Sequence, residues 1–136
     1  MNFEYKIEGG DFSKAGDASS EVKKILKKLN VDFKIIKRIV VALYEAEVNI
    51  VAHAYRGVIN VEIENKKITI RLIDEGPGIR DIELAMQEGY TTASQKVREM
   101  GFGAGMGLAN IKKNSDFFNI SSTVGKGTIV EIIVNL

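Results

Sequence analysis

The sequence predicts an α+β fold, and three observations point to it. Residues 3–7 alternate apolar and charged side chains as a half-buried strand does. Two long stretches of helical apolar spacing then fill residues 15–54. After them come two pairs of strand-like segments, at 58–73 and 117–134, each broken by turn residues.

Each element has its own justification. Phe3, Tyr5 and Ile7 share one face of the first strand, which Gly9-Gly10 ends. Within residues 15–29, Val22, Ile25, Leu26 and Leu29 keep helical spacing, while Lys23, Lys24, Lys27 and Lys28 form the solvent side. From residue 32 to about 54 a second helix places Ile35, Ile36, Ile39, Val40, Leu43, Ile50 and Val51 almost all round its wheel, which predicts burial. Residues 58–64 and 67–73 read as a strand pair turning at Asn65-Lys66. A turn at 74–78 holds the single proline, residues 81–87 suit a short helix, and 88–104 lack any period and read as a mobile loop of functional length. A helix over 106–114 and strands at 117–123 and 128–134, separated by Gly125-Lys126-Gly127, complete the chain.

The bulk properties fit one domain spanning residues 1–136, with 45% hydrophobic and 27% charged residues and no linker-like stretch. Nineteen basic against eighteen acidic residues leave a formal charge of +1, so no global field favours nucleic acid or an anionic membrane. Cysteine is absent, which removes disulfides and thiolate metal sites, and the single histidine removes histidine-rich ones. The first residues resemble no secretory signal, and no segment approaches the roughly 18 apolar residues of a membrane span, so a cytoplasmic location is expected.

Four local patterns carry chemistry. Glu45, Asn49 and His53 recur every fourth residue on the buried second helix and form a polar stripe about 80° wide, with Arg38 and Arg56 nearby on the same wheel. A carboxylate there needs either an arginine partner or a cleft holding water or metal. Asp74-Glu75-Gly76-Pro77-Gly78-Ile79 ends a strand with a carboxylate able to accept from a ligand amine, although taken alone the motif is better read as a tight surface turn. Gly101-Phe102-Gly103-Ala104-Gly105-Met106-Gly107-Leu108 runs glycines into a helix start, where backbone N–H groups can cradle phosphate; a hinge is the alternative. It lacks the Gly-Lys-Ser/Thr ending of a P-loop. Gly125-Lys126-Gly127-Thr128 is by itself only a hairpin turn.

In this order and at these separations, the four patterns resemble the N, G1, G2 and G3 boxes of the GHKL ATP-binding superfamily over residues 45–128. Glu45-Ala46, Asn49, His53-Ala54-Tyr55 and Gly89-Tyr90-Thr91-Thr92 look most like bacterial anti-sigma-factor serine/threonine kinases and related switch kinases. The resemblance implies a Bergerat two-layer α/β sandwich with a mixed, mostly antiparallel sheet and an ATP lid at residues 90–102. It implies ATP and Mg²⁺ as cofactors, Asn49 as metal ligand and Glu45 as general base toward a serine hydroxyl. Asp74 would hold the adenine amine in a pocket shaped by Gly76, Gly78 and Ile79, with Thr128 as buttress. Thr91, Thr92, Gly101, Gly103, Ala104, Gly105, Met106, Gly107 and Leu108 would complete the nucleotide site. The implied substrate is an anti-sigma-factor antagonist protein, with a sigma factor and a second copy of the chain as further partners and no direct nucleic-acid or membrane contact. An ATP-gated protein-binding module without transfer is the alternative. No protein-kinase signature of the His-Arg-Asp or Asp-Phe-Gly kind occurs.

Overall fold

The computed structural model describes residues 1–87 and 107–136. Its elements are β1 (Asn2–Glu8), a 3₁₀ turn (Phe12–Lys14), α1 (Asp17–Lys28), α2 (Phe33–His53), β2 (Arg56–Ile63), β3 (Lys67–Glu75), α3 (Ile82–Ala85), α4 (Gly107–Lys113), β4 (Phe117–Thr123) and β5 (Gly127–Asn135). The five strands form one sheet in the order β1-β2-β3-β5-β4.

The sheet buries one face. Ile59, Val61 and Ile63 of β2 are buried while Asn60 and Glu62 between them are exposed, and β3 and β5 alternate in the same way. These strand residues form one core with Val22 and Leu26 of α1, Ile39 and Leu43 of α2 and Ile111 of α4, which gives the expected two layers. Complete burial of each such side chain contributes about 1.5–3 kcal/mol. The lysines at 23, 24, 27 and 28 are all exposed, as their place on the wheel requires.

All four pairings are antiparallel, so the parallel component of a mixed sheet does not occur among the described strands. The helices explain this. Two successive helices, α1 and α2, lie between β1 and β2, and β2 begins opposite the end of β1, with Arg56 facing Glu8. β3 and β4 run in the same direction, but β5 lies between them and opposes both.

Local signals fix the ends of α2 and of the hairpins. Asp32 caps α2, its carboxylate accepting from Lys34 N at 2.8 Å. Asn65-Lys66 is the β2–β3 turn, closed by Glu64 N donating to Lys67 O at 2.9 Å. β3 continues two residues further than its apolar alternation predicts, through Asp74 and Glu75, because β2 extends back to Gly57 and Arg56 to pair with them. Among the described residues, no helix is long and apolar enough to cross a membrane.

Candidate functional site

The end of β3, the β4–β5 turn and the C-terminal part of α2 meet at one end of the sheet. Asp74 pairs with Gly57 across the β2–β3 ladder. A Cβ on Gly57 would stand 3.0 Å from Ile50 and 3.3 Å from the Asp74 Cβ, so the last turns of α2 lie directly over this carboxylate's strand. Ile50 is the immediate neighbour of Asn49.

Asp74 is half-buried and accepts from Thr128 N at 3.0 Å through Oδ1. Burial pushes its carboxyl above the ordinary range, and the Thr128 amide partly opposes that. The amide reaches the carboxylate because Gly127, at φ 154°, lets β5 run against the Asp74 backbone; a Cβ there would collide with the Asp74 carbonyl oxygen. Sequence reading places Thr128 beside Asp74, and the structure brings them together.

The turn after Asp74 is stitched to the β4–β5 turn. Gly76 N donates to Lys126 O at 3.0 Å and Gly125 N to Pro77 O at 2.8 Å. Gly78 adopts φ 76°, and a Cβ on it would lie 2.5 Å from Thr123 O. Close approach at this glycine is therefore to the protein's own chain. A Cβ on Gly76 would stand 3.0 Å from Ala54 Cα and 3.5 Å from Asp74 Oδ1, so this glycine keeps the space beside the carboxylate open.

Sequence reasoning missed Ser122. Its Oγ accepts from Ile79 N at 2.8 Å and lies 2.8 Å from Thr128 Oγ1 and 3.1 Å from Gly127 O. It thus ties Ile79, on the turn after Asp74, to the start of β5. A signal was present: Phe118, Ile120 and Ser122 occupy the inward positions of β4, and a hydroxyl in that row needs a partner.

On the facing helix, Glu45 and Asn49 are part-buried and lie against α4. Asn110 Nδ2 donates to Glu45 Oε1 at 3.5 Å, and a Cβ on Gly107 would stand 3.0 Å from Asn49 Oδ1. Of the two arginines expected on the α2 wheel, only Arg38 lies on α2, because the helix ends at His53 and Arg56 opens β2, and neither is paired with Glu45. Arg38 pairs with Asp116 at 3.1 Å, and Arg56 with Glu75 at 3.4 Å on the surface. Among the described residues, then, no arginine partners Glu45, and its contact is the Asn110 amide. His53 is half-buried, and its burial pushes the imidazole below its ordinary value. Leu108 packs against the core. Thr91, Thr92, Gly101, Gly103, Ala104, Gly105 and Met106, with the expected lid at 90–102, lie outside the described residues.

A second residue missed from sequence is Glu47, which is fully buried on the α1 side of α2. It accepts from Gly16 N and Ala18 N at 3.1 Å, Ser19 N at 3.2 Å and Ser19 Oγ at 2.9 Å. These amides belong to the start of α1, whose Gly16 N-cap offers no side chain of its own.

A family described as Histidine kinase-like ATPase domain matches residues 12–134. The chain is 36% identical to an Anti-sigma F factor of Thermoanaerobacter sp. (strain X514), covering 97% of this chain and 89% of that protein. It is 34% identical to the Serine/threonine-protein kinase RsbT of Bacillus subtilis (strain 168), over 71% of this chain and 69% of the relative. Among solved structures, the RsbU and RsbW domains of a Mycobacterium tuberculosis protein superimpose with a TM-score of 0.64 at 16% identity, over 98% of this chain and 32% of that one. The mycobacterial sensor histidine kinase MprB superimposes with a TM-score of 0.56 at 15% identity, over 99% and 97% of the two chains. These two likenesses are of fold, whereas the sequence matches establish descent. The chain belongs to the histidine kinase-like ATPase domain family.

Proposed function

We propose that the chain binds Mg-ATP between α2 and the Asp74 end of the sheet and phosphorylates a serine or threonine of a small antagonist protein that regulates an anti-sigma system. The observation that carries the reading is the Asp74 carboxylate, half-buried, oriented by Thr128 N and flanked by Gly76, on the strand end that α2 overlies. The residues fit the nucleotide. Asp74 accepts one hydrogen bond from the described residues and, with two oxygens, has capacity for an adenine amine. Gly76, Gly78 and Ile79 shape the base pocket, and Gly107 and Leu108 open the helix that follows the glycine-rich segment.

Among the described residues there is no group of three or more His, Cys, Asp or Glu side chains able to hold a metal. Asn49 Oδ1 is the protein oxygen that would hold Mg²⁺, an ion that needs few protein ligands when it is bound with a nucleotide. When bound, Mg-ATP supplies the γ-phosphoryl group. Glu45 accepts the proton of the attacking hydroxyl, Asn49 fixes the metal, and Asp74 fixes the adenine, so that positioning and charge compensation do most of the work.

Two relatives' names support the two halves of this reading. A serine/threonine kinase supports transfer, and the anti-sigma F factors support a sigma factor as a bound partner. The second half alone, an ATP-gated binding module without transfer, is the competing reading. Calorimetric titration with ATP, with and without Mg²⁺, tests the pocket, with Asp74→Asn as the adenine control. Incubation with candidate antagonist proteins and mass spectrometry for a new phosphoserine or phosphothreonine tests transfer. Saturable binding without any phosphorylated partner would leave the binding module standing in its place.

A further inference from the structure

We infer that Asn110 on α4 is a positioning residue for Glu45, an inference that rests on the kinase reading above. Two contacts along one stripe of α2 carry it. Gly107 lies against Asn49, with its Cβ position 3.0 Å from Oδ1 and 3.1 Å from Nδ2, and Asn110 Nδ2 reaches Glu45 Oε1 at 3.5 Å. The first turn of α4 therefore runs antiparallel to α2 and meets the proposed metal ligand and the proposed base in succession. Helical spacings of three residues on α4 and four on α2 bring the two pairs into register.

Asn110 is itself held in place. Its carbonyl accepts from Asn114 N at 3.2 Å and from Asn114 Nδ2 at 2.8 Å, and the next residue, Ile111, has no exposed surface. Arg38 of α2 is committed to Asp116 and Arg56, at the start of β2, to Glu75. Among the described residues, the donor facing Glu45 is thus a neutral amide. A guanidinium would compete with the substrate hydroxyl for the carboxylate, whereas an amide fixes the plane of the group through one oxygen and leaves the other to take the proton. The 3.5 Å separation is long for an N–H···O bond. Contacts of this kind shorten when the reacting complex forms.

The test compares wild-type protein, Asn110→Ala, Glu45→Asp and the double variant for ATP binding and for phosphorylation of the antagonist. Asn110→Ala is expected to lower kcat by about tenfold while the ATP Kd stays within about twofold, since only the orientation of the base is lost. Glu45→Asp retracts the carboxylate by one methylene from the amide. In that background Asn110→Ala is expected to add no further loss, because the two residues act as one unit. Asn110→Asp keeps the shape without the N–H and is expected to be at least as impaired as Asn110→Ala, which covers the case of an unstable alanine variant. Wild-type kcat in Asn110→Ala or Asn110→Asp, or an undiminished tenfold loss in the Glu45→Asp background, would overturn the positioning role while leaving the kinase reading intact. A wild-type protein that binds ATP and phosphorylates no partner would remove both.

Discussion

Glu47 accepts hydrogen bonds from both the backbone amide and the hydroxyl of Ser19, at 3.2 and 2.9 Å, across 28 residues of sequence. With Gly16 N and Ala18 N on its other oxygen, this buried carboxylate does for α1 what an N-cap side chain ordinarily does. Glu47→Ala is expected to cost about 3–5 kcal/mol, since it strands several buried donors at once. Glu47→Gln, which turns half of an acceptor-only group into a donor facing other donors, is expected to cost about 2–3 kcal/mol. Urea unfolding of the two variants, read by circular dichroism, checks both the size and the order.

Ser122 joins Ile79 to Thr128, so its hydroxyl holds the turn after Asp74 against the start of β5. Ser122→Ala is expected to destabilise the fold by about 1 kcal/mol. It is also expected to raise the ATP Kd by about tenfold through loosening of the base pocket. Thermal melts and ATP titration of one preparation would read the two effects side by side, and an unchanged Kd would detach Ser122 from the nucleotide site.

Asp74 sets stability against function. Its carboxyl is raised above 3.8 by burial, so the folded state binds this proton more tightly than the unfolded chain does. Stability contributed by this group is therefore full below about pH 3.8 and declines as pH rises through the raised folded value. At pH 7 Asp74→Asn removes that burial cost while its side-chain oxygen still accepts from Thr128 N. The variant is expected to melt no lower than wild type and to bind ATP more weakly. A clear drop in Tm at neutral pH would contradict the assigned sign.

Asp116 has the opposite sign. Asn135 N, and after it the Arg38 guanidinium, hold its carboxyl below 3.8. The stabilisation is present above that pH and is lost as the pH falls through the lower folded value. Asp116→Asn is expected to cost about 1 kcal/mol at neutral pH, as suits a pair at the surface. Its stability curve is expected to run flatter than wild type below pH 3.8, as acid titration followed by fluorescence or circular dichroism would show.

What was legible in the sequence was periodic or local. The alternation of Phe3, Tyr5 and Ile7, the apolar wheel of α2, and the Asn65-Lys66 turn all appear where the pattern puts them. Asp74 and Thr128 were legible as neighbours only through the order of four motifs, because 54 residues separate them. The rest depended on distant partners. Glu47 finds its donors 28 to 31 residues back, and Arg38 and Asp116 lie 78 apart, so neither has a local signature. Asp116 took the arginine that the α2 wheel placed near Glu45. Gly78 was legible as a special position, and its close approach to Thr123 within the fold was not.

The place of β5 in the sheet sets a timetable for biosynthesis. It lies between β3 and β4 yet follows both in the chain, so a polypeptide emerging from the ribosome holds β3 with one side open until residues 127–135 arrive. The hairpins β2–β3 and β4–β5 close over short loops, but the pairing that joins them matches Lys67 with Asn135 and waits for the last strand. Until then Asp74 has no Thr128 amide to orient it. A nascent chain stalled before residue 127 would carry the α2 residues and the Asp74 strand in full and still lack an organised binding pocket. A nucleotide held at the proposed site would therefore find no organised pocket in the early steps of folding and would act only as a latch on the finished sheet.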